Sequence, residues 1–311
     1  MTRRTFVQAA ASASLAASPL PIIDTHIHLF DPARPGGIPW PPKENATLYK
    51  PALPPRLRRI AEPLGVVGAI HIECSPVLED NQWVLDTAEK DTFIVGMIGN
   101  LDAGRPEFPR HLERFRRNAL FLGIRYGNLW GYDLSRELSN PEFISNMRAL
   151  SDSGLTLDTA NQNLPLLLAV ARLTDKVPRL RVVIDHLAQF QPPDGADAHR
   201  EFDSTLRELA KRPNVYVKVS EVLRRVKGRV PEDLSFYRST LDRLWELFGE
   251  SRLIYGSDWP NSDQWAAYPR VLRLVREYFD GKGPSSAEKC FWRNSIAAYR
   301  WGKRDPAQPA A

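Results

Sequence analysis

The sequence predicts a single α/β domain folded as a TIM (β/α)8 barrel. Three observations carry this expectation: eight short β-rich runs alternating with amphipathic stretches, a length of 311 residues, and polar residues gathered at the ends of the runs. Alternating strand and helix patterns read as parallel βαβ units, and eight of them close a barrel of about 250 residues plus insertions. No GxGxxG follows a strand, which counts against a doubly wound dinucleotide fold.

The candidate strands are LPIIDTHIHL (20–29), VVGAIHIEC (66–74), TFIVGMIGN (92–100), LFLGIRYG (120–127), LTLDTAN (155–161), LRVVIDHLA (180–188), NVYVKVSE (214–221) and RLIYGSDWP (252–260). Helical spacing separates them. In NPEFISNMRALSDSG (140–154), Asn140 is placed to cap, Pro141 to open and Gly154 to close a helix. HREFDSTLRELAKRP (199–213) has the same amphipathic spacing and stops at Pro213. The Pro-rich connection 31–55 is too long for an ordinary βα loop. It is either a lid whose Trp40 and Tyr49 cover a bound ring, or a structural wrap over the barrel mouth. Segment 285–301 reads as a closing helix that packs Phe291, Trp292, Ile296 and Trp301 on the barrel, and 302–311 as a disordered tail.

Residues 1–18 are set apart from the barrel, which is expected to span 19–301. Arg3 and Arg4 precede an alanine-rich, mildly apolar stretch, resembling a twin-arginine export signal with cleavage after Ala13 or Ala17. That reading implies a periplasmic protein; the alternative is a frayed cytoplasmic extension. No window reaches 18 consecutive apolar residues, so no membrane span is expected. The net charge of +5 is spread out, and clusters such as RLRR (56–59) and VLRRVKGR (222–229) lack interleaved aromatics. They read as solvated faces able to attract an anion, not as a nucleic-acid surface. Cys74 and Cys290 have no CxxC spacing, so neither a zinc knuckle nor a disulfide framework is implied. The partner expected is a small molecule. A homodimer is compatible with the sequence.

The active end of such a barrel is the C-terminal end of its strands. Strand one carries Asp24, His26 and His28 on one face with Ile22, if the period of two holds. Strand two ends in His71 and Glu73, strand four in Arg125, strand six in His186 and strand eight in Asp258. Strand five offers Asp158 and Asn161, and strand seven Lys218 and Ser220. Ionisable groups are costly to bury without partners, so this convergence marks a site. Singly, each has a duller reading: a hydrogen-bonded core histidine, a Lys218–Glu73 or Arg125–Asp158 ion pair, or, for Asp185, a helix cap facing outward.

DTHIHLFD at the start, DHL at 185–187 and GSDWP at 256–260 together resemble the amidohydrolase superfamily, in its order. IPWPP, GIRYG, KVS and YGSDWP are similar to its branch containing L-fuconolactonase, L-rhamnonolactonase and 2-pyrone-4,6-dicarboxylate lactonase, over about residues 20–301. Two-metal members carry a carboxylated lysine on strand four and a histidine on strand five. Here Arg125 and LTLDTAN stand instead, so a two-metal site is not expected. The resemblance implies either metal-free lactone hydrolysis, the preferred expectation, or a single divalent ion such as zinc on His26, His28 and Asp258, with Glu73 as a possible extra ligand. KVS is followed by Glu221 where relatives usually have glycine, and DHLAQF lacks their usual proline. These departures bear on substrate identity more than on the reaction class.

The reaction expected is hydrolysis of a sugar-acid or dicarboxylate lactone. Asp258 would be the general base, and His26, His28 and His186 would donate to the carbonyl oxygen. Arg125, Lys218, Glu73, Asp158, His71 and Trp40 would hold the substrate. The rivals are a mononuclear metal-dependent decarboxylase of the same superfamily, which lacks its strand-five histidine here, and a barrel that binds a sugar acid without turnover.

Overall fold

The computed structural model describes residues 20–188 and 193–310. The export-signal segment 1–18 lies outside the described residues. Eight strands follow one another around a single sheet in sequence order: β1 (Ile22–Ile27), β2 (Val66–Ile72), β3 (Ile94–Gly99), β4 (Phe121–Arg125), β5 (Thr156–Asp158), β6 (Arg181–Ile184), β7 (Val215–Val219) and β8 (Leu253–Tyr255). Every neighbouring pair is parallel. The ring closes just past β8, where His28 N donates to Trp259 O at 2.7 Å and Asp258 N to His26 O at 2.8 Å. The expected TIM barrel is the fold, and each candidate run holds one strand.

Capping follows the sequence closely. The Asn140 side chain accepts from Glu142 N, Pro141 opens the helix Pro141–Asp152, and Gly154 leaves it at φ +72°. The helix expected over 199–213 starts earlier, as Ala196–Ala210.

Two apolar layers surround the sheet. Outward strand residues such as Val66, Ala69, Ile124, Ile184 and Val217 pack among the helices. Inward residues such as Ile23, Ile70, Val95, Leu122, Val183 and Ile254 cluster with Trp292, Tyr299 and Trp301 of the closing segment. That segment is Pro284–Glu288, a π-turn Lys289–Arg293, and Asn294–Tyr299. It sits under the strand starts, where Thr156 Oγ1 and Arg181 Nε both donate to Ala298 O, at 2.8 and 2.6 Å. The barrel is thus apolar and plugged below, leaving only its upper end for polar chemistry.

One irregularity in β1 reorients the site. Asp24 pairs with Ala69 and Ile27 with His71, so β1 advances three residues while β2 advances two. This bulge breaks the period of two. Asp24 turns outward, accepting from Tyr268 Oη at 2.9 Å and Ser257 N at 2.8 Å, whereas His26 and His28 turn inward. The expectation that Asp24 shares their face is corrected. His71, in register with Ile27, also faces outward; its Nδ1 accepts from Leu29 N at 2.9 Å.

The long loop after β1 is pinned at its base by Phe30 and Ala52, which exchange backbone hydrogen bonds of 3.1 and 2.9 Å. Farther along, Arg34 pairs with Asp80 at 2.5 Å and lies over the Trp83 ring.

The tail expected to be disordered is instead packed. Gln308 is buried; its Nε2 donates to Val67 O and Thr92 O, and its Oε1 accepts from Arg304 N. Arg304 donates to Ala88 O at 2.7 Å and Ile94 O at 2.5 Å, covering carbonyls at the end of the helix Asp80–Glu89. The physical reason is that a guanidinium supplies several donors at once, and the end of this helix and the start of β3 together present it with the carbonyls of Ala88, Asp91 and Ile94. Arg304→Ala should cost about 2 kcal/mol and lower the thermal midpoint by about 5 °C. Thermal unfolding followed by circular dichroism checks this; an unchanged midpoint would make the tail a bystander.

Candidate active site

The upper end of the barrel forms a cleft of about 160 Å³ lined by residues that include His28, Trp40, Glu73, Arg125, His186 and Asp258. At its floor His26 Nε2 stands 3.3 Å and His28 Nε2 3.0 Å from the same oxygen, Asp258 Oδ1. The His186 ring lies 4.4 Å from that of His26, centroid to centroid. Gly256, on the neighbouring turn, is required here: a Cβ on it would fall 2.6 Å from His26 Cβ.

Beneath the histidines runs a buried ion network. Lys218 Nζ sits 2.8 Å from both Asp158 Oδ2 and Asp185 Oδ1. Tyr299 donates upward from the closing helix to Asp158 at 2.8 Å. Asp185 Oδ2 faces Arg125 Nε at 3.3 Å, and Asp185 Oδ1 faces His26 Nδ1 at 3.7 Å. Arg125 also donates to Thr159 O and Glu73 O and stands 3.8 Å from Glu73 Oε1. Glu73 Oε2 is held by Trp130 Nε1 at 2.9 Å.

Backbone strain is concentrated at the same place. Trp130, Asn161, His186, Glu221 and Asp258 have φ between +47° and +62°, and all five line the cleft. Each left-handed non-glycine residue costs about 1–2 kcal/mol. Such residues persist where the surroundings dictate them, which is characteristic of functional sites. Their effect is concrete on β6: the left-handed turn at His186 lets Asp185 and His186, adjacent in sequence, both address the barrel interior.

Burial sets the protonation states. It holds the His26, His71 and His186 imidazoles well below their usual range, and it pulls His28 down to about 4, with Arg125 adding to the effect. The histidines are therefore neutral at pH 7. Burial pushes Asp258 up to about 7, against the hydrogen bond from Asn261, and raises Glu221, which also hydrogen-bonds Asp258. His28 Nδ1 lies 2.8 Å from Ile72 O, and a carbonyl only accepts, so Nδ1 carries the hydrogen. The Nε2 lone pair of neutral His28 then points at a carboxylate oxygen. Two acceptors 3.0 Å apart call for a proton or a cation beside them.

A cation fits. Ligand atoms of His26, His186 and Asp258 all lie within 4.8 Å of one another. Both ring nitrogens of His26 are buried without a hydrogen-bond partner. The set differs from the expected His26, His28 and Asp258, because the turn at His186 brings that ring over His26.

The expected site residues His26, His28, His186, Asp258, Arg125, Glu73 and Trp40 come together around this cleft. Three do not reach it. His71 is on the outer face, lining a crevice beside Trp83 and Val84. Asp158 and Lys218 are fully buried below, each neutralised by the network. The ion pairs also differ from the alternatives drawn from sequence: Lys218 pairs with Asp158 and Asp185, and Arg125 with Asp185 and Glu73. Asp185, expected to face the helices, is at the centre instead. Tyr49 does not line the cleft, whereas Trp130, Asn161, Glu221 and Asn261 do. Asn261 lies three residues after Asp258, a spacing that suits side-chain contact across a turn. No pattern announces the left-handed positions.

The family model for amidohydrolases matches residues 23–301. L-fucono-1,5-lactonase of Burkholderia ambifaria is 30% identical over 290 residues, 89% of this chain and 95% of that protein. An amidohydrolase from Burkholderia multivorans solved with bound zinc superposes with a TM-score of 0.77 at 21% identity, over 91% of this chain and 100% of the other. A probable 2-pyrone-4,6-dicarboxylic acid hydrolase from Acinetobacter baumannii gives 0.69 at 18% identity, over 90% and 99%.

Removing one member of a buried ion network leaves its partners uncompensated, at about 3–5 kcal/mol. Lys218→Met should therefore lower the denaturant midpoint markedly, with Asp158 and Asp185 left facing each other. A midpoint equal to that of the parent would show that Lys218 does not hold the floor together.

Proposed function

The chain belongs to the amidohydrolase family and is a hydrolase of lactone ester bonds, and from this we propose that it opens the lactone of a neutral sugar acid. The observation that carries the choice is the charge of the cleft. Three carboxyl groups line it, Glu73, Glu221 and Asp258, against one guanidinium, Arg125. That guanidinium is already engaged by Asp185 and Glu73. A second carboxylate on the substrate would meet further carboxyl groups and only the guanidinium that the carbonyl oxygen itself needs. A polyhydroxylated ring would meet acceptors for its hydroxyls and two indoles, Trp40 and Trp130, for its apolar faces. The same charge count disfavours a decarboxylase, whose substrate is itself a carboxylate.

Asp258 accepts the proton of the attacking water and returns it to the ring oxygen as the ester bond breaks. The base is poised near neutrality because burial has raised it. Negative charge developing on the carbonyl oxygen is met by Arg125, whose Nε and Nη1 donate to Thr159 O and Glu73 O below. His28 was expected to donate to that oxygen, but with its hydrogen held by Ile72 O it presents a lone pair instead. Asn261 keeps the base oriented, donating to Asp258 Oδ2 at 2.6 Å. A divalent cation such as zinc, held by His26, His186 and Asp258, would polarise the carbonyl and make bound water more acidic.

The proton-accepting form of Asp258 is the ionised one, so kcat/KM should rise with pH through a midpoint close to 7, not close to 4. Asp258→Asn should lose about 10²- to 10⁴-fold in kcat/KM and abolish the rise. Proton release from aldono-lactones, followed between pH 5 and 9 for both forms, checks this. A variant as fast as the parent would remove Asp258 from the base role.

A further inference from the structure

Glu221 is a carboxyl group where the backbone favours glycine. It follows β7 at φ +47°, and its side chain turns into the cleft beside the base. Its position is fixed from the β8 side. Asn261 Nδ2 donates both to Glu221 Oε1 at 3.0 Å and to Asp258 Oδ2 at 2.6 Å. The Asn261 amide cannot flip without loss, because its Oδ1 accepts from Gln264 Nε2 at 2.7 Å. Gln264 is held in turn by Asn45 of the long loop, at 3.1 Å. Three residues from two segments, Asn261 and Gln264 after β8 and Asn45 of the long loop, thus serve to orient two carboxyl groups side by side. Glu221 Oε2 stands 3.7 Å from His186 Nδ1, beyond hydrogen-bond reach, and that nitrogen is already met by Ser220 Oγ at 2.8 Å. The carboxyl is therefore not tied down by the imidazole.

We propose that Glu221 is a specificity-determining residue that accepts a hydrogen bond from the hydroxyl on the carbon next to the lactone carbonyl. The inference rests on the lactonase reading: water held by Asp258 attacks the carbonyl carbon, and Glu221, joined to Asp258 through Asn261, is the carboxyl at hand for a hydroxyl on the neighbouring ring carbon. A hydroxyl there gives the carboxyl a donor. A 2-deoxy ring leaves this carboxyl with only its partners Asn261 and Asp258 and lacks the donor that a hydroxyl supplies, a discrimination of the kind that binding sites achieve best. A substrate carboxylate at that carbon would face two carboxyl groups.

The test compares an aldono-1,5-lactone with its 2-deoxy counterpart on the parent enzyme, Glu221→Ala, Glu221→Gln and Glu221→Gly. Binding of the corresponding lactams, which resist hydrolysis, is measured alongside by titration calorimetry. The kcat/KM preference for the 2-hydroxy substrate should fall about 10- to 100-fold in Glu221→Ala, chiefly through KM, and the lactam preference should fall equally. Glu221→Gln keeps an acceptor oxygen and should retain most of the preference. Glu221→Gly should lose the preference while its thermal midpoint rises, since glycine relieves the left-handed backbone; this separates recognition from unfolding. Equal losses on both substrates, or an undiminished preference in Glu221→Ala, would overturn the proposal and leave the lactonase reading standing. A parent enzyme that hydrolyses neither lactone, yet prefers the 2-hydroxy lactam through Glu221, would uphold the recognition role and sink the lactonase reading.

Discussion

The barrel mouth depends on the carboxylate of Asp185. It is fully buried and stands between Lys218, Arg125 and His26. An isolated carboxylate there would be expensive, but two basic side chains flank it. Through Lys218 it is joined to Asp158 and to Tyr299 of the closing helix; through Arg125 it is joined to Glu73 and the β4 side of the cleft. Through His26 it faces the candidate ligands. One group thereby fixes the floor of the cleft from below, in the manner of the outer carboxylates that orient ligating histidines.

This arrangement divides the barrel into two media. Below, isoleucine, valine and tryptophan side chains form a buried apolar cluster. Above, charges are desolvated but paired, and burial keeps the imidazoles neutral and raises Asp258 and Glu221. Left-handed backbone at five cleft positions is the accompanying strain. Stability is given up where side chains must point at one small volume, and the apolar lower half together with the packed tail offsets it.

Most of the fold was legible because parallel strands buried on both faces leave apolar runs, and their alternation with helices leaves few topologies. The site was legible as a set of strand ends, since His26, His28, Arg125, His186 and Asp258 do converge. What failed was the assumption of strict alternation. A bulge turned Asp24 away from His26, and left-handed backbone at His186 brought that ring inward beside Asp185, which faces the interior in phase with Val183. Both depend on contacts from distant strands, such as Ser257 N on Asp24. Depth was equally hidden: Lys218 and Asp158 share a face with the site but lie a layer beneath it. The tail was misjudged because its composition suggests disorder, whereas Arg304 and Gln308 find carbonyls that only the folded barrel presents.

The central claim is that a cleft with an excess of carboxyl groups and an already paired Arg125 selects an uncharged ring. The direct measurement is the ratio of kcat/KM for a neutral aldono-1,5-lactone to that for 2-pyrone-4,6-dicarboxylate, on the same enzyme at pH 7. Burying a second carboxylate without a free cation, at about 3 kcal/mol, would make the neutral lactone better by about 100-fold. Equal turnover, or a preference for the dicarboxylate, would contradict the account.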